Sequence, residues 1–347
     1  MNNSVSDSLP DLAPCGGSLL GLGDLYLPWT VTRHPLAAPA EQAACELALQ
    51  FGLLRNNEFE LRRFHGFVTC ASYVYLNSTL EQLTACNDTL VGLWFLDNTY
   101  DDEFKIARDT TAVRQAMEYQ LAVLKGSLPD APAPLARFMA DLRSRLLRLS
   151  PSGDRWLQRL LTSLEEYWFR GSLPATENWK NNRVPPLPEY LVQREYDSAM
   201  YPCIDLLELE AGSVPDGLYT APAIVRMRQL CNYHVAFTND IMSYEKEVLQ
   251  RDNPNNLVRV LMTHRGLPRE AAVSEIVAML NTDVREFCEL AQQVPELVKG
   301  DAALGVIMER YVTGMQCWMR GNYDWSLNTG RYCSASSPFP ELRKDIY

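Results

Sequence analysis

The stretch Thr238–Glu247, TNDIMSYEKE, places an amide at Asn239, a hydroxyl at Ser243 and a carboxylate at Glu247 in steps of four. At about 100° of rotation per residue these three fall within an arc of about 80° on an α-helix. Phe237, Ile241, Tyr244 and Val248 occupy the remaining surface, so packing anchors the helix behind three converging oxygen donors. Such a set suits a hard divalent cation. The alternative is a helix whose Asn, Ser and Glu hydrogen-bond across a bundle, although three polar groups at consecutive i+4 positions of an apolar helix are hard to satisfy. Lys246 lies beside them, within reach of an anion.

A second set of oxygen donors lies upstream. Around 79–107, Leu83, Asn87, Leu90, Trp94, Asp97 and Asp101 follow steps of three or four and share one helix face. Two aspartates therefore sit where a buried stripe would continue, in WFLDNTYDDEF (94–104). Buried carboxylates need a compensating cation or donors, and a pair one turn apart can clamp Mg²⁺. A helix emerging into water, with Asp102 and Glu103 as its solvated end, accounts for the same residues.

The rest of the chain supports a helical body. Of its 347 residues 47% are hydrophobic, and helical periodicity recurs in blocks at 39–55, 58–76, 79–107, 110–126, 133–149, 154–171, 188–210, 221–250, 254–264, 268–293 and 299–325. Breakers such as SPSG (150–153) and RVPPLP (183–188) separate them, and no convincing strand or long linker appears. The expectation is one all-α domain over 39–335, preceded by an extended strap at 1–38 and followed by a tail at 336–347.

Composition excludes several functions. Lysine and arginine total 32 against 43 acidic residues, a net charge of −11 that disfavours nucleic acid as a partner. Nine cysteines without CxxC spacing read as reduced core residues, and four histidines form no metal-binding pair. No apolar run reaches the ~18 residues of a membrane span, and the N-terminus lacks the order of a secretion signal. A soluble, cytoplasmic protein is expected.

In PEYLVQREYDSAMYPCIDLLELE (188–210), Pro202 cannot donate to the carbonyl of Ser198 and its ring crowds that carbonyl, so a helix here must kink. The freed carbonyl could stabilise a cation in a cavity, with Arg194 four residues earlier to tie its orientation to an anion. An ordinary proline kink with Arg194 paired to a surface acid is the alternative.

These motifs resemble those of class I terpene synthases of the microbial type. NDIMSYEKE matches the family signature NDxxSxxKE at every specified position, and DNTYD resembles its DDxxD motif with Asn98 in second place. The resemblance implies the α-helical terpenoid synthase bundle and a Mg²⁺-dependent cyclase acting on a prenyl diphosphate, farnesyl or geranylgeranyl. Three Mg²⁺ ions would be held by Asp97, Asp101, Asn239, Ser243 and Glu247. Diphosphate would be gripped by Arg194, Lys246, Arg331 and Tyr332, the last two in WSLNTGRY (325–332). Asp197 and Ser198 fall at the family's linker and effector positions, with Ser in place of the common Gly.

Trp94 and Trp325 match aromatic cavity positions, with Phe67 and Phe95 as further candidates. Val91 and Cys70 stand where relatives carry larger rings, implying a roomier pocket. The segment LYLPWTVTRHP (25–35) resembles the strap that closes over the active-site mouth. An antiparallel homodimer is compatible with the resemblance, which leaves oligomeric state open. Two other readings remain at this point, a chain-elongating prenyl diphosphate synthase and a non-catalytic helical scaffold. Asn239→Ala and Arg194→Ala are both expected to abolish turnover with little loss of folding.

Overall fold

The computed structural model describes residues 22–100, 109–128 and 130–344, so Asp101 and Asp102 lie outside the described residues. No strand occurs within them. The body is built from helices α1 (Ala37–Gln50), α2 (Glu58–Val68), α3 (Leu80–Tyr100), α4 (Thr110–Leu124), α5 (Pro134–Leu149), α6 (Asp154–Glu166), α7 (Leu173–Lys180), α8 (Leu187–Tyr196), α9 (Met200–Asp205), α10 (Pro222–Met242), α11 (Leu257–Arg265), α12 (Arg269–Ala291) and α13 (Ala302–Ser326). Most match the periodic blocks of the sequence. Helix α7 does not; it follows a π-helical turn at Tyr167–Ser172 that extends α6.

Helix α10 is the axis of the bundle, packing against α12, α13, α8 and α9. Pro222 starts it, at a position where a missing N–H does no harm. Most of its side chains are buried, Arg228, Asn232, His234, Thr238 and Asp240 among them, as befits a helix enclosed on every side. On the opposite wall α3 packs between α1 and α5. Gly321 of α13 permits a close approach, because a Cβ there would lie 2.1 Å from the Tyr73 carbonyl oxygen.

The expected kink near Pro202 is a full break. Helix α8 ends at Tyr196, α9 begins at Met200, and between them Ala199 takes a left-handed conformation with φ of 57°. For a residue with a Cβ this costs about 1 kcal/mol or more. Helix α10 also stops earlier than its periodicity predicts: the α-helix ends at Met242 and a π-helical turn covers Glu245–Leu249.

Part of the segment expected to form a strap lies along α12. The Tyr26 amide donates to Asn281 Oδ1 (2.6 Å), Asn281 returns a bond to the Asp24 carbonyl (2.8 Å), and Trp29 meets Phe287 edge-on at 5.7 Å. These contacts hold the segment along α12, and none of residues 22–36 lines the central cavity. Beyond 335 the chain packs onto the body, since Phe339 and Leu342 are fully buried and Ser336 Oγ donates to Glu245 Oε1 (2.7 Å). Burying two large apolar groups is worth roughly 1.5–3 kcal/mol each, enough to hold a short segment in place.

A buried carboxylate away from the cavity gives a stability test. Glu210 Oε2 accepts from Ser78 Oγ (2.9 Å) and the Asn77 amide (3.0 Å), and burial pushes the acid up to about 7 against those bonds. The folded value exceeds the unfolded one, so the folded chain binds more protons between about 4.5 and 7 and stability falls as pH rises through that window. Glu210→Gln is therefore expected to raise Tm relative to the parent more at pH 8 than at pH 5. Equal shifts at both values would contradict the assignment.

Candidate active site

Within the run His234–Tyr244 every residue is buried except Asn239, which opens onto a cavity of about 260 Å³. Asp97 of α3 lines the same cavity from the opposite wall, and Glu247, Lys246, Arg331, Tyr332 and Arg194 line it as well. The Arg331 guanidinium joins the two sides. Burial opposes its charge, yet Tyr332 and then the carboxylates of Asp97 and Glu247 hold its pKa above the ordinary value. Its Nε donates to Tyr332 Oη (3.2 Å), which also accepts from Asn239 Nδ2 (2.6 Å).

Arg194 is the most heavily bonded cation of the site. Its Nε donates to Asp240 Oδ1 (3.0 Å), one terminal nitrogen to the Asp197 carbonyl (2.6 Å), and the other to Asn239 Oδ1 (2.9 Å) and the Ala236 carbonyl (3.2 Å). It is therefore no partner of a surface acid. Asp240 is fully buried, also accepting from the Leu257 amide (3.0 Å) and the Tyr190 hydroxyl. Burial raises its carboxyl and Arg194 pulls it down. The signature's aspartate thus holds the arginine, a role the spacing of oxygen donors could not reveal because Asp240 points into the bundle.

The break after α8 also faces the cavity, through Asp197, Ser198 and Ala199. Ser198 lies outside both helices, and Pro202 has no N–H to offer its carbonyl. Burial pushes Asp197 up to about 7 despite Arg194 nearby, and its Oδ1 accepts from Ser172 Oγ (2.9 Å). Ser243 is placed differently from its neighbours: it is buried between Asn239 and Glu247, outside the lining, with Oγ donating to the Asn239 carbonyl (2.6 Å). The hydroxyl gives its proton to that bond and keeps its lone pairs for a cation.

Phe67, Trp94 and Trp325 line the cavity together, with Phe67 stacked on Trp94 at 5.2 Å and edge-on to Trp325 at 6.3 Å. Cys70 lines it as well. Val91 and Phe95 are not among the residues that line it. Each is one residue beyond a lining position, Leu90 or Trp94, and one step on a helix rotates a side chain by about 100°. Val91 is fully buried in the core, while Phe95 packs edge-on against Trp94 at 4.9 Å. Trp318 and Asn322 are lining residues missed in the sequence, although with Trp325 they form steps of four and three along α13. Tyr167 and Ser172 carry no such signal, because a π-helical turn departs from the 3.6-residue period.

A metal is testable against these residues. Among the described residues no three or more His, Cys, Asp or Glu cluster as ligands, so the donors are mixed: carboxylates at 97 and 247, an amide at 239 and a hydroxyl at 243. Burial, then the charge of Asp240, pushes the Glu247 carboxyl up, with Arg194 and Lys246 opposing. Hard oxygen donors that include a carboxylate pushed up by burial and a neighbouring acid fit a divalent cation.

Comparison with known proteins decides the family. A model described as terpene synthase family 2, C-terminal metal binding, matches residues 88–286, which include both donor walls and the break after α8. The chain belongs to the class I terpene synthases. It is 31% identical over 310 residues, 89% of this chain and 93% of the relative, to (+)-T-muurolol synthase ((2E,6E)-farnesyl diphosphate cyclizing) of Roseiflexus castenholzii. It is 30% identical over 307 residues, covering 87% and 94%, to 10-epi-cubebol synthase of Sorangium cellulosum. The structure of germacradien-4-ol synthase from Streptomyces citricolor superimposes with a TM-score of 0.75 at 25% identity, covering 87% of this chain and 97% of that one.

This terpene synthase is therefore a cyclase on the terpenoid synthase fold with a divalent-metal site, and neither the chain-elongating nor the scaffold reading finds support in these relatives. No helix among its described residues is long and apolar enough to cross a membrane.

Proposed function

We propose that the enzyme ionises farnesyl diphosphate in the presence of Mg²⁺ and cyclises the resulting allylic cation to a sesquiterpene hydrocarbon or alcohol, releasing diphosphate. The observation that carries this reading is the shared cavity, with oxygen donors on two walls, Arg194, Lys246, Arg331 and Tyr332 beside them, and rings below. Bound Mg²⁺, three ions by the family resemblance, would be held by Asp97, Asn239, Ser243 and Glu247 and would neutralise the leaving group. Asp101 remains a candidate ligand by resemblance.

The protein's own groups account for the remaining chemistry. Arg331 and Lys246 offer N–H donors to the departing oxygens, and the Tyr332 phenol adds one more. Phe67, Trp94 and Trp325 present ring faces that stabilise a cation without attacking it. The Ser198 carbonyl supplies a fixed negative dipole. A cavity of about 260 Å³ is smaller than the roughly 300–1,000 Å³ of common ligand pockets, which favours a C15 chain over C20. The printed activity of the Roseiflexus relative points the same way. Eight free cysteines among the described residues fit a reducing compartment such as the cytoplasm.

Incubation with geranyl, farnesyl and geranylgeranyl diphosphates, each with Mg²⁺, followed by diphosphate assay and mass spectrometry of the extract, tests the proposal. Farnesyl diphosphate is expected to give a C15 hydrocarbon or alcohol with stoichiometric diphosphate. Release of diphosphate from the C20 substrate alone would replace the substrate assignment, and release from none would overturn the reading.

A further inference from the structure

The π-helical turn Tyr167–Ser172 touches both sides of the reaction site. At its start the Tyr167 hydroxyl donates to Asp97 Oδ1, on the α3 wall. At its end Ser172 Oγ donates to Asp197 Oδ1 (2.9 Å), in the break that contains Ser198. Between them Gly171 lies so close to the break that a Cβ there would come within 2.4 Å of the Asp197 amide nitrogen and 2.6 Å of the Tyr196 carbonyl carbon. The Arg170 guanidinium lies over the Tyr196 ring at 3.7 Å. One six-residue turn thus fixes the break by backbone packing, a side-chain hydrogen bond and a cation–π contact, while its first residue holds the aspartate of the opposite wall. π-helical turns inside α-helices recur at functional sites, and this one leaves both Tyr167 and Ser172 lining the cavity.

We propose that Tyr167 and Ser172 are positioning residues that couple Asp97 to the 197–199 break, so that the place of the Asp97 carboxylate and that of the Ser198 carbonyl are set together. This deepens the proposed function and rests on its assignment of Asp97 and Ser198. The coupling has a mechanical basis: Asp97 cannot shift toward a ligand without changing the Tyr167 bond, and the turn that carries Tyr167 has no slack against the break because Gly171 is already at backbone contact. Arg194 grips the same segment from the other side through the Asp197 carbonyl (2.6 Å). The break is therefore held between one group that senses the α3 wall and one that touches Asn239.

The test uses the full chain and two substitutions that remove only a hydroxyl, Tyr167→Phe and Ser172→Ala. Amide hydrogen exchange of the substrate-free protein, read by mass spectrometry, is expected to rise about three-fold or more over 196–201 in both variants. The Tyr167 hydroxyl makes no bond to that segment, so a merely local role would change exchange only around 94–97 and 164–170. With farnesyl diphosphate, each variant is expected to lose about ten-fold in kcat with KM within about two-fold, and to release more linear or early-quenched product. The double variant should be no worse than the worse single one, because both act through one turn.

Unchanged exchange over 196–201 in Tyr167→Phe, or losses that multiply in the double variant, would overturn the coupling. The exchange measurement needs no substrate. It decides the inference even if the wild-type protein proves inactive on farnesyl diphosphate, an outcome that would count against the proposed substrate instead.

Discussion

Arg194→Ala is expected to abolish detectable turnover and, unlike most active-site truncations, to lower stability by about 3–5 kcal/mol, the usual cost of removing one partner from a buried ion pair. The sequence alone predicts little loss of folding for this change. The structure revises that expectation, since Arg194 is the counter-ion of the fully buried Asp240 and also ties Asn239 to the Asp197 carbonyl. Urea unfolding of the variant beside the parent measures the stability term, and diphosphate release measures turnover. Arg194→Lys separates the two roles. It keeps a positive charge opposite Asp240 but lacks the fork that reaches four acceptors, so it should recover more stability than activity. A variant that is inactive yet as stable as the parent would mean that Asp240 does not depend on the guanidinium.

Asn239→Ala gives the contrasting result, an activity fall of about 10²–10³-fold or more with a stability change near 1 kcal/mol. Asn239 opens onto the cavity, so the groups it leaves behind, Arg194 and the Tyr332 hydroxyl, can turn to water. Asn239→Asp should retain more activity than the alanine variant, since an oxygen remains for a cation while only the donation to Tyr332 is lost. The comparison is made on diphosphate release at several Mg²⁺ concentrations, with the Mg²⁺ dependence shifted upward for the alanine variant. More than about a tenth of parental activity in Asn239→Ala would remove the residue from the metal set.

Much of the fold was legible because helical periodicity is a local property. The blocks at 110–126, 133–149, 268–293 and 299–325 each correspond to a single helix, as apolar stripes at 3.6-residue spacing demand burial on one face. The misses share a physical origin. At Tyr167–Ser172 and Glu245–Leu249 the chain adds a residue per turn, and at 197–199 it leaves the helix altogether. Periodicity runs through 197–199 and 245–249, inside the blocks 188–210 and 221–250, because the flanking segments keep their own stripes, whereas it stops at 171 within the first turn. The oxygen donors of the site were readable from chemical type and spacing. Val91 and Phe95 lie off the lining because position along a helix does not by itself fix rotation about it.

The sequence by itself determined the all-α class, the two donor motifs and the family they point to, since these depend on side-chain type at fixed separations along one chain. Tertiary structure alone decided that Asp240 holds Arg194, that Gly171 brings a π-helical turn against the Ser198 break, and which ring faces the cavity. Those outcomes depend on contacts between segments dozens of residues apart, such as Arg194 with Asp240 and Trp325 with Gly66. No local pattern encodes such pairs, because the free energy that selects them appears only when the helices pack and exclude water from the groups between them.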